Sequence, residues 1–159
     1  MPRSARRQRC SRMASPLLAI CDALAASLNA SALEIASTTV QRRNWATVSA
    51  EDMAQPIVFV TPGGIVSERI GRKQHQTDYT ANVFLGRHVT ADADADGMLD
   101  LAEEILALVR AHNWQSEWPY AVTSPTSVTI EINPDDALDE RNVWRAVISA
   151  TYRICTVDS

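Results

Sequence analysis

Residues 92–103 read DADADGMLDLAE. Asp92, Asp94 and Asp96 alternate, Gly97 follows, Asp100 sits at the ninth place and Glu103 closes the stretch. This is the spacing of a calcium loop, in which side-chain oxygens at alternate positions and a final glutamate surround a hard cation while the glycine allows the sharp turn. Such a loop needs a helix on each side. The residues upstream, TDYTANVFLGRHVT, alternate with a period of two and read as a strand. The same twelve residues also make a complete acidic helix start. Asp94 or Asp96 can cap it, the neighbouring carboxylates favour its positive end, and the alanines add helix propensity. The spacing and its context together predict a helix start. A calcium-binding module built on Asp92, Asp94, Asp96, Asp100 and Glu103 is the competing reading.

Other chemistry finds little support. His75, His88 and His112 lack metalloprotease helix spacing. The stretch GGIVSERIGRK does not space its glycines as a phosphate loop does, and no Ser or Thr follows Lys73 to hold magnesium. There is no G-x-G-x-x-G and no G-x-S-x-G. The sequence therefore predicts no enzyme, no cofactor and no resident metal. One cluster remains. Arg69, Arg72, Lys73 and His75 gather in a polar segment beside Gly63 and Gly64. Connections are ordinarily polar and solvated, which is one reading of it. The other is an arm that docks on an acidic neighbour, as a subunit or partner interface.

Charge gives that second reading its weight. The net charge is −4, yet Arg3, Arg6, Arg7, Arg9 and Arg12 precede any acid. Beyond them ten basic residues face nineteen acidic ones. So acidic a body is a poor general nucleic-acid binder. Residues 1–14 read as a basic, flexible N-terminal arm and 15–159 as one domain. Met13 is a candidate second start. Asp22 breaks the apolar run PLLAICDALAAS, and Leu17, Ile20, Cys21, Leu24 and Leu28 fall on one helical stripe, so the segment reads as an amphipathic helix rather than a secretory signal. No apolar run approaches the ~18 residues of a membrane helix. Cys10, Cys21 and Cys155 show no CxxC spacing, which argues against a disulfide framework or zinc knuckle and for a reducing compartment.

These residues need positioning elements. A helix is expected over about 16–29, with Ser15 as N-cap and Pro16 in its first turn. LEIASTTVQRRNW (33–45) reads as a strand, SAEDMAQP (49–56) as one helical turn and IVFVT (57–61) as a short strand closed by Pro62-Gly63-Gly64. Residues 65–76 are expected as a long hairpin connection and 77–89 as a strand with Tyr79, Ala81, Val83 and Leu85 on one face. A second helix should cover about 96–112, burying Met98, Leu101, Ala102, Ile105, Leu108, Val109 and His112. A loop over 113–127, a strand SVTIEIN (127–133) and a connection DDALDERN (135–142) precede VWRAVISATYRIC, in which Trp144, Ala146, Ile148, Ala150, Tyr152 and Ile154 face a core. The class is α+β: a mostly antiparallel sheet of about four to five strands, packed on one face by two helices.

Taken together, this layout resembles the tail terminator proteins of long-tailed bacteriophages, a minor tail or neck protein family. It runs from an N-terminal helix to a strand near RRNW, then AEDMAQ, PIVFVTP, SERIGRKQHQTDYTANVFLGRHV, DGMLDLAEEILALV, DALDERN and VWRAVISATYRI, over roughly residues 15–157. No single motif carries it, and the family layout does not require the Arg-rich extension. The resemblance implies a structural virion protein with no cofactor and no catalysis, assembled in the host cytoplasm. Its partners would be further copies of itself in a hexameric ring, the tail tube protein, and a head-side connector or stopper. DNA could pass through such a ring without specific recognition. A related neck component, stopper or adaptor, would share this logic.

Overall fold

The computed structural model describes residues 15–31, 33, 39–44, 48, 51–111, 124–132 and 142–157. In chain order the elements are helix α1 (Pro16–Ala30), strand β1 (Gln41–Arg42), a 3₁₀ turn (Glu51–Ala54), strands β2 (Ile57–Arg69) and β3 (Gln74–His88), helix α2 (Asp92–Ala111), and strands β4 (Ser127–Ile132) and β5 (Val143–Val157). The strands form one sheet in the order β1-β2-β3-β5-β4, antiparallel apart from the short β1–β2 pair. The α+β class is as the sequence predicts.

Period decides which residues meet. Alternate residues of β5, from Trp144 through Ala146, Ile148, Ala150, Tyr152 and Ile154, are buried, as are Ala81, Val83 and Leu85 of β3. They join the stripe Leu17, Ile20, Cys21, Leu24 and Leu28 of α1 and Met98, Leu101, Ala102, Ile105 and Val109 of α2 in one core. Both helices thus cover the same sheet face. A smaller apolar group covers the base of the other face. There Phe59 stacks on Phe84 at 4.7 Å, Arg43 lies 4.9 Å above the Phe59 ring, and Met53 of the 3₁₀ turn approaches Gly86. No helix among the described residues is long and apolar enough to cross a membrane.

Several boundaries differ from the sequence expectation. β2 does not end at Pro62. It passes a bulge between Pro62 and Gly64 and continues to Arg69, so most of the expected connection over 65–76 is strand. Proline is tolerated at a bulge, where a ladder donor is dispensable. A Cβ on Gly63 would lie 2.9 Å from the Asn82 amide, so a bare glycine lets that side chain pack there. Helix α2 begins a turn earlier than expected, at Asp92. Ser15 occupies the N-cap of α1 without a side-chain cap bond; its carbonyl accepts the N–H of Ala19. The strand expected over 33–45 is present at Gln41–Arg42, with 34–38 and 45 outside the described residues. His112 and most of the loop and the connection around β4 also lie outside them.

Candidate assembly interface

The bulge turns β2 and β3 into one long hairpin. Its far half is an arm. Residues 63–70 are all exposed, whereas Val58, Phe59, Val60 and Thr61 at the base of the same strand are buried. β5 accompanies β3 along its whole length, from His88↔Val143 to Gln74↔Val157, so the arm has three strands. Across fourteen residue steps β3 spans about 45 Å at ~3.3 Å per residue.

On the helix-covered face Tyr152 and Ile154 carry the core into the lower part of this arm, and cross-strand side chains hold the rest. Arg153 donates two hydrogen bonds to Asp78, Nε to Oδ1 at 2.8 Å and Nη2 to Oδ2 at 3.0 Å, at directly paired positions. The Arg153 guanidinium, bonded to the carboxylate, holds Asp78 below the usual carboxylate range. Ser67 and Thr77 hydroxyls lie 3.1 Å apart, as do those of Thr80 and Thr151. Such opposed pairs are the ordinary unit of sheet stabilisation away from a core.

The four basic residues singled out in sequence meet at the tip. Arg69 and His75 are paired across the hairpin, and Arg72 and Lys73 form its turn. Arg69 serves the turn itself: its Nε donates to the Gly71 carbonyl at 3.0 Å and its Nη2 to the Arg72 carbonyl. Ile70 and Gly71 donate their backbone N–H groups to the Gln74 carbonyl. Arg72 and Lys73 stand exposed, with Ile70 beside them at 51% exposure.

The carboxylates of residues 92–103 lie on α2, which starts at the other end. α2 starts four residues after β3, beside the base of the hairpin. Asp92, Asp96, Asp100 and Glu103 are exposed and recur at near-helical spacing along its outer side. Asp94 turns back instead. Its Oδ2 accepts the Thr90 N–H at 3.2 Å and the Thr90 hydroxyl at 3.1 Å, and Arg87 lies 3.4 Å from its Oδ1. The Thr90 hydrogen bonds, with Arg87 behind them, depress the Asp94 carboxyl below its ordinary range. Asp94 therefore closes the helix N-terminus, close to its expected capping role. The calcium-loop spacing falls on helix: Asp92, Asp94 and Asp96 fan around its first turns rather than converging on one point. Arg42 pairs with Asp22 of α1, tying β1 to the helix layer.

Sequence reasoning located the basic cluster but missed the arm that presents it. The signal was available in the β-branched run Ile65-Val66, strand-like yet exposed, and in TYRICTV at the end of β5, where Tyr152 and Ile154 are buried while Arg153, Cys155 and Val157 are exposed. No protein-family model matches the chain, and no curated protein matches it.

Proposed function

We infer that this chain is a structural virion protein of the tail-neck region, a tail-terminator-like subunit that forms a ring, hexameric by its family layout, capping the tail tube and joining it to the head-side connector. The observation that carries the reading is the three-stranded arm: a long hairpin extension with exposed edges and a cationic tip, on a body whose acidic helix starts at the opposite end. Separated charge of this kind suits repeated contact in one direction, either between copies or with an acidic partner surface. The layout of elements supports the same reading.

The purified chain is expected to form a closed oligomer, at the latest when tail tubes are added. Native mass spectrometry and electron microscopy of tube ends measure this. Tubes whose ends carry single copies, or no copies, would remove the reading. Capture by the tail tube protein in preference to the head-side connector separates a terminator from a stopper or adaptor.

A further inference from the structure

Among the described residues the arm has two open edges. On the outer side of β2, β1 reaches only Phe59 and Val60; on the outer side of β5, β4 ends against Thr151. Among the described residues, 63–69 and 153–157 therefore have a strand neighbour on one side only. Natural sheets guard open edges with lysines, prolines or short lengths. These edges are long and rich in β-branched residues. Ile65, Val66 and Val157 are 55%, 60% and 70% exposed.

The edges fit each other. Both β2 and β5 are antiparallel to β3, so they run the same way, from base to tip. Ile70 gives its N–H to Gln74, and backbone direction alternates along a strand, so Ile65, Ser67 and Arg69 turn their N–H and C=O groups outward. On the far side the Thr151 carbonyl accepts from Thr126, so Arg153, Cys155 and Val157 turn theirs outward. The rows Ser67–Thr77–Ile154 and Glu68–Gln76–Cys155 cross the arm, the first on the helix-covered face and the second on the other. With two arms level, outward Ser67 meets inward-turned Ile154 with both side chains on one face. That is the condition for a parallel pair. Charge agrees: on the uncovered face the β2 edge carries Glu68 and the β5 edge carries Arg153, which then lie diagonally opposed.

We propose that copies of this chain join laterally by parallel β-pairing, the outer edge of β2 in one copy against the outer edge of β5 in the next, so that one sheet runs around the ring. This rests on the assembly reading above and specifies its lateral contact. A head-to-tail ring covers both edges of every copy, whereas a two-fold pair through one edge leaves the other open. It also gathers the tips at one rim, where the cations meet an acidic axial partner.

Cys155 is the probe. It is exposed on the uncovered face, and Cys21 is buried. In a Cys10→Ser background, Val66→Cys and Glu68→Cys add a thiol to that same face of the β2 edge, and Ile65→Cys and Ser67→Cys add one to the opposite face. Within one chain positions 68 and 155 are two strand spacings apart, roughly 9–10 Å, beyond the ~7 Å a disulfide spans, so every cross-link joins two copies. Mild oxidation should give a ladder of cross-linked oligomers from Val66→Cys or Glu68→Cys, none from Ile65→Cys or Ser67→Cys, and none once Cys155→Ser is added. Ladders from all four variants, cross-links that survive Cys155→Ser, or a Cys155 dimer in the background protein would each overturn edge pairing. Native mass spectrometry on the same samples separates the two failures. With tail tubes added to the same samples, oligomers without cross-links overturn edge pairing and leave the assembly reading standing; monomers throughout, tubes included, overturn both.

Discussion

At the scale of single residues, the described thiols and carboxylates should behave in opposite ways. Burial pushes the Cys21 thiol up to about 12, against a smaller opposing pull from Arg42, while Cys155 is exposed. In Cys10→Ser protein a thiol reagent at neutral pH should label Cys155 quickly and Cys21 only on unfolding, as counted by mass spectrometry under native and denaturing conditions. Because the raised value favours the neutral thiol in the fold, that contribution is complete below the ordinary thiol range and fades as pH climbs toward 12. Asp78 and Asp94 are depressed instead, the first by hydrogen bonds from Arg153 and the second by those from Thr90. Their contribution is present above the ordinary carboxylate range and lost as pH falls through the lowered values. The thermal midpoints of Asp78→Asn and Asp94→Asn should lie below the parent's at neutral pH and converge on it in acid. A gap unchanged at low pH would remove the ionic explanation.

The element that matters most to the fold is β5. It sits between β3 and β4, and Ile148 is fully buried opposite Val83 and Ile130. Ile148→Ala should destabilise by about 2–5 kcal/mol, the usual range for truncating a buried aliphatic side chain, as read by denaturant unfolding. On β3, Gly86 marks a close approach. A Cβ there would lie 2.9 Å from the Phe84 ring and 3.2 Å from the Met53 sulfur. Gly86→Val should displace Phe84 from its stack on Phe59 and cost about 1–3 kcal/mol, the range for overpacking. The arm should respond differently from both. Its exposed positions lie outside the core, so Val66→Ser should leave the thermal midpoint of the monomer nearly unchanged while weakening association.

For the whole molecule, charge separation sets the expected salt response. Arg72 and Lys73 stand at the tip, and Asp92, Asp96, Asp100 and Glu103 lie on the helix that starts at the base. Exposed charges are screened within about 8–10 Å at physiological ionic strength. On the proposed assembly, the contact made by the tip should therefore weaken with added salt, and the double variant Arg72→Glu/Lys73→Glu should weaken that contact and lose the salt dependence. Arg69→Glu is a less clean test, because Arg69 also holds the turn through the Gly71 and Arg72 carbonyls. Lys73 is the only lysine, so acetylation of its amine followed by mass spectrometry reads the tip directly. Assembly should protect it.

The sequence by itself determined the element order, the buried faces of α1, α2, β3 and β5, and the α+β class, because each follows from a local period of 3.6 or 2 repeated over many residues. It also found Arg69, Arg72, Lys73 and His75 as a group, since a basic cluster is visible without a fold. Tertiary structure decided the rest. Pro62-Gly63-Gly64 reads locally as a stop, and only pairing with β3 turns it into a bulge within a continuing strand, because the ladder resumes at Gly64↔Thr80. DADADGMLDLAE is compatible in spacing with a loop or a helix. Thr90 and Arg87, delivered by the preceding strand, hold Asp94 at the helix start. The edges that stand open among the described residues were hidden altogether, for an edge is the absence of a neighbour, and a neighbour is a property of the folded sheet.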